Sequence, residues 1–151
     1  MSPTAFDYAD LVQEARAFEF PSPRPRREVV DAPFNLIHAI TGIRRCGKTF
    51  YAFQLIQQLL SRGVPRDRVF YFNFADDRLR PTPPALLNDV VEEYWRQVPS
   101  ARSEGCYLFL DEVQEADDWE GFCQRIAERE RVTLVVTGSS SKLSADEIAS
   151  R

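Results

Sequence analysis

A chain of 151 residues with 44% hydrophobic content can bury a real core, and 12% aromatic residues, eleven of them Phe, exclude a disordered polymer. A formal net charge of -4 excludes a globally basic nucleic-acid binder, though not a local basic patch. Three cysteines (Cys46, Cys106, Cys123), odd in number and without ligand spacing, exclude a disulfide framework and a cysteine metal site.

Free thiols suit a reducing compartment. No apolar run reaches the length of a membrane span, and the first ten residues hold two Asp where a signal peptide needs a basic start and an apolar stretch. A soluble, cytoplasmic protein with no membrane partner is expected.

In residues 1–20, Tyr8, Leu11, Val12, Ala15 and Phe18 recur on one helical face. Pro21, Pro23 and Pro25, interleaved with Arg24, Arg26 and Arg27, then fix φ and remove donors, which predicts an extended connector. Residues 1–33 are read as an N-terminal helix and connector, and 34–151 as the core.

Residues 34–41 are mostly apolar without alternation, as in a strand buried on both faces of a parallel sheet. The strand runs into Gly42-Ile43-Arg44-Arg45-Cys46-Gly47-Lys48-Thr49. After the loop, Ala52, Phe53, Ile56, Leu59 and Leu60 recur at helical spacing up to a stop at Gly63. The Gly-x4-Gly-Lys-Thr spacing has a mechanical reason: glycines let the backbone turn and aim its N–H groups at a phosphate. The lysine adds a compact positive charge, the threonine hydroxyl ligates magnesium, and the following helix presents its positive end. Unaided, the pattern recurs on the order of once in a few hundred chains of this length. The strand before it and the helix after it remove most of that chance. The expected triphosphate contacts are Gly42, Ile43, Arg44, Arg45, Cys46, Gly47, Lys48, Thr49 and Phe50, with ATP and Mg2+ as cofactors.

A second strand is predicted over 68–74, and a helix after Pro83-Pro84 with Leu86, Leu87, Val90, Val91 and Tyr94 on one face. A third strand, 106–110, ends in Asp111-Glu112. Four apolar residues followed by this pair match the second motif of a nucleotide site: Asp111 for magnesium from the outer shell, Glu112 as general base for the attacking water. Small-molecule kinases with the same loop usually lack that Glu, so the pair points to a hydrolase. Gln114 completes Asp-Glu-Val-Gln and is placed to orient water or relay nucleotide state. Trp119, Phe122, Cys123 and Ile126 line a further helix capped by Asp117 or Asp118. A fourth strand, 132–136, runs into Thr137-Gly138-Ser139-Ser140-Ser141. Here Ser139, then Thr137, is favoured as a γ-phosphate sensor or water holder, against hydroxyls that only satisfy a turn. Ser144 and Glu147 form a capping box for a last helix. Strands alternating with helices predict an α/β fold of parallel units.

Four ordered strings carry a resemblance: residues 40–49, Phe72-Asn73-Phe74-Ala75-Asp76-Asp77-Arg78-Leu79, Phe109-Leu110-Asp111-Glu112-Val113-Gln114 with Trp119, and 137–149. From about Phe34 onward the chain resembles the AAA-type ATP-binding domain of prokaryotic P-loop ATPases that usually carry a C-terminal domain of unknown function, sometimes described as nuclease-like. The resemblance implies a P-loop NTPase three-layer sandwich with a mainly parallel sheet in the order 5-1-4-3-2, its fifth strand absent here. It implies Mg-dependent ATP hydrolysis with Glu112, Lys48 and Ser139 as catalytic residues and Thr49 and Asp111 at the metal. It also implies a partner in the chain's own C-terminal region beyond Arg151, without which hydrolysis by this chain is in doubt. A signalling switch with little turnover and a nucleic-acid remodelling ATPase are the alternatives, and a further protein or nucleic-acid partner stays open.

Overall fold

The structure is a computed structural model that describes residues 8–19, 36–42 and 48–139, with the backbone alone for 36–42, 48, 50 and 139. Its elements follow in the order α1 (Tyr8–Ala17), β1 (Leu36–Gly42), α2 (Lys48–Ser61), β2 (Val69–Asn73), α3 (Leu86–Gln97), α4 (Pro99–Glu104), β3 (Cys106–Asp111), α5 (Trp119–Arg129) and β4 (Val132–Ser139). The proline-arginine connector, the loop residues 43–47 and the capping box near Ser144 lie outside the described residues.

The four strands form one sheet in the order β1-β4-β3-β2, and each neighbouring pair is parallel. This is the 1-4-3-2 part of the order expected from the sequence; among the described residues no fifth strand flanks β1. Strand side chains alternate in direction, so each strand feeds two cores. Val69, Tyr71, Phe109 and Val135 pack against Ala52, Phe53 and Ile56 of α2. Phe70, Phe72, Leu108, Leu110, Leu134 and Val136 face the other layer, with α3, α5 and part of α1. Strands covered on both faces read as continuous apolar runs, which is why no alternation marks them in the sequence.

Helix α3 buries Leu86, Leu87, Val90, Val91, Tyr94 and Trp95, the predicted stripe plus one residue. The ring of Phe70 stacks on Tyr94 at 4.4 Å and 16°, and the Tyr94 hydroxyl donates to the Asp67 carbonyl. Helix α2 ends as predicted near Gly63, which takes a left-handed φ of 97° that glycine adopts without strain. Three details depart from expectation. Asp118 stands at the N-cap position of α5, but at φ 56° its carboxylate makes no capping hydrogen bond and lies instead over Gly121. Helix α4 was not foreseen, since Ala101 is its one buried residue and leaves no periodic signal. Strand β4 continues past 136 to Ser139, because β1 offers partners as far as Gly42.

Helix α1 packs against β2, the edge strand, and α3. Arg66 fastens it there, donating to the carbonyls of Ala15 and Phe18 at the end of α1 and to Val69 on the strand. Arg78 pairs with Glu14 on the exposed side, and Gln97 donates to the Ala9 carbonyl. Covering an edge strand removes a template for unwanted pairing. Among the described residues, no helix is long and apolar enough to cross a membrane.

Phe70→Ala is expected to lower the unfolding free energy by about 3–5 kcal/mol, the usual loss for an aromatic cavity. Arg66→Ala, at a partly exposed site, should cost less; urea titrations of both variants check the order. Burial pushes the thiols of Cys106 and Cys123 up to about 12. They therefore stay protonated in the folded chain while unfolded thiols ionise near 9.0. Stability from these groups is complete below 9.0 and declines as pH rises toward 12. At pH 8 an alkylating reagent should label Cys106 and Cys123 only on unfolding, which mass spectrometry with and without denaturant decides.

Candidate functional site at the strand ends

The parallel register sends the carboxyl ends of β1, β3 and β4 to one rim, where crevices of open α/β sheets lie. Asp111 is the last residue of β3 and, two places beyond Phe109, faces the α2 layer. Thr137 sits two places beyond Val135 on the neighbouring strand and faces the same way. Both side chains are buried, with Asp111 only 3% exposed. A carboxylate there costs several kcal/mol unless donors surround it.

Three hydroxyls do so. Thr49, in the first turn of α2, donates to Asp111 Oδ2 at 3.0 Å. Tyr71 of β2 donates to the same oxygen, and Thr137 of β4 to Oδ1. Burial first, and then the Asp111 carboxylate beside it, push the Tyr71 hydroxyl well above the usual phenol range, so it remains a donor. Thr137 Oγ1 in turn accepts from the Glu112 backbone N–H at 3.0 Å. One threonine thus ties both members of the acidic pair to β4.

Glu112 takes a left-handed conformation, φ 55° and ψ 47°, which costs a non-glycine residue about 1 kcal/mol or more. The turn breaks the strand immediately after Asp111, so the two carboxyl groups do not follow strand alternation. Gln114 Nε2 donates to Glu112 Oε1 at 2.7 Å, while Gln114 Oε1 is buried without a hydrogen-bond partner.

The remaining sequence-predicted residues fall as follows. Gly42 ends β1 and pairs in register with Ser139, so the backbone of Ser139 stands beside the first residue of the loop. The contact to Asp111 belongs to Thr137, the second choice at this strand end; of Ser139 the backbone alone is described. Lys48 opens α2 and Phe50 follows in its first turn. Ile43, Arg44, Arg45, Cys46 and Gly47 lie outside the described residues. Tyr71 was missed. The available signal was the single hydroxyl in Phe70-Tyr71-Phe72, since a buried tyrosine needs a partner for its O–H.

The donors suit a hard cation. Thr49 spends its proton on Asp111 and keeps lone pairs for a metal, and Asp111 offers carboxylate oxygen. Among the described residues no cluster of three or more His, Cys, Asp or Glu forms a closed cage. Magnesium fits that pattern, because it is usually bound through one or two protein oxygens with waters and substrate phosphates.

A family model described as an AAA domain matches residues 35–151. Uncharacterized protein MJ1544 of Methanocaldococcus jannaschii is 36% identical over 117 residues, which make up 76% of this chain and 24% of that protein. A Haemophilus influenzae protein, also named as uncharacterized, is 26% identical over 115 residues, 76% of this chain and 28% of its own length. The chain thus spans about a quarter of the length of these curated relatives. The solved structure of C. elegans PCH-2 superimposes with a TM-score of 0.47 at 16% identity, over 93% of this chain and 38% of that one.

Thr137→Val keeps the shape but removes a donor from Asp111 and an acceptor from the Glu112 N–H. A loss of about 1–3 kcal/mol in urea unfolding is expected; an unchanged midpoint and slope would contradict the buried network.

Proposed function

This chain belongs to the AAA domain family, an ATPase-type nucleotide-binding fold, and from that premise we propose that it binds ATP with magnesium and hydrolyses it at the carboxyl ends of β1, β3 and β4. The observation that carries the proposal is the 3.0 Å hydrogen bond from Thr49 to Asp111. It joins the last residue of the phosphate-loop motif to the acid of the second motif, although 62 residues separate them.

In this reading the backbone from Gly42 to Thr49 wraps the β-phosphate, and Lys48, first residue of α2, neutralises the β- and γ-phosphates. Thr49 and Asp111 would hold a magnesium ion with the triphosphate, and the chemistry it would supply is the neutralisation of charge on the phosphoryl oxygens. Glu112 is the general base: its carboxylate orients the attacking water and accepts its proton. Ser139 or Thr137 senses the γ-phosphate, and the Thr137 bond to the Glu112 N–H gives that residue a route from strand end to base.

A second reading, a switch with little turnover, is favoured by one contact. The Gln114 amide occupies Glu112 Oε1 and competes with water for it. A steady-state rate near background with intact ATP affinity would select the switch.

Titration with labelled ATP should show binding that Lys48→Ala abolishes. Glu112→Gln should retain binding and lower phosphate release by about 100- to 10,000-fold, the usual contribution of a general base. Unchanged phosphate release in Glu112→Gln would sink the hydrolase assignment.

A further inference from the structure

Tyr71 belongs to neither sequence motif, yet it meets the acid at the centre of the site. Its ring is buried on the α2 face of the edge strand, 8% exposed. It packs edge-on against Phe53 of α2 at 5.1 Å and 67°. Phe18, just after α1, stacks on it at 6.0 Å and 26°. With its ring held in this cluster, the phenol hydroxyl donates to Asp111 Oδ2.

An ionised carboxylate offers about four lone-pair positions. Thr49 and Tyr71 occupy two on Oδ2, and Thr137 occupies one on Oδ1. One position remains, enough for a single further donor such as a metal-bound water. Without Tyr71 the carboxylate would have a second free position and freedom to rotate about its bond to Cβ. It would then compete for direct contact with a cation or turn away from Thr49.

We propose that Tyr71 is a positioning residue for the metal-triphosphate site, holding the Asp111 carboxylate at the angle that reserves one oxygen lone pair for a metal-bound water. The proposal rests on the nucleotide site described above and adds to it a residue from the edge strand. It also gives the docked end of α1 a bearing on the site, through Phe18 and the Tyr71 ring.

The test uses Tyr71→Phe in the 151-residue chain, which removes the hydroxyl and keeps the ring packed against Phe18 and Phe53. Labelled ATP is titrated with magnesium chloride present and again with the metal chelated, and thermal unfolding is followed in parallel. Outer-shell partners of a metal typically contribute about 10- to 100-fold in affinity. The magnesium-dependent gain in ATP affinity should shrink by about that factor, while affinity in chelator stays at the wild-type value. Phe18→Ala should reproduce a smaller part of the effect. An unchanged magnesium gain in Tyr71→Phe overturns the proposal while leaving the site reading intact. Equal losses with and without metal also overturn it, since they mark a role in folding alone. Wild-type protein that binds ATP with no magnesium gain removes the site reading itself, and this proposal with it.

Discussion

A carboxylate that is 3% exposed is tolerated in a protein interior only when donors surround it, and Asp111 draws three hydroxyls from three separate elements. Thr49 comes from α2, Tyr71 from the edge strand and Thr137 from β4. Each must arrive within hydrogen-bond reach of one side chain, so the carboxylate ties the sheet register and the seating of α2 together there. Displacing any of the three leaves a buried acid short of a partner, which costs more than the bond itself contributes. Much of the order at this end of the sheet follows from that demand.

Strain sits next to this cluster. Glu112 leaves the extended region for a left-handed turn directly after the buried acid. The neighbouring hydrogen bonds hold it there: its N–H on Thr137 and its carboxylate on the Gln114 amide. An observed backbone outlier beside an acid of the second motif is the kind of feature that accompanies function. Aspartate and glutamate, adjacent in sequence, thereby occupy different surroundings, one enclosed by hydroxyls and one partly exposed at the rim.

The N-terminal helix belongs to the same construction. Arg66 bridges its last carbonyls to the edge strand, Arg78 clasps Glu14, and Phe18 closes over Tyr71. A segment that reads in the sequence as a modest amphipathic helix thus covers the sheet edge. Through the Tyr71 ring it also touches the residue that meets Asp111.

Local pattern was sufficient for the strands, the helices α1, α2, α3 and α5 and the placement of Asp111-Glu112 at a strand end. These depend on continuous apolar runs for the strands and a periodicity of 3.6 residues for the helices, all contained within short windows. The six-residue helix α4, with one buried residue, left no such trace. The cap expected of Asp118 was not made, because its backbone turned left-handed. The company of Asp111 was beyond local pattern altogether. Its partners lie 62, 40 and 26 residues away in the chain, and only the parallel order β1-β4-β3-β2 with α2 against one face brings them together. Residue type announced that an acid would stand at this rim; the folded arrangement decided which hydroxyls would hold it.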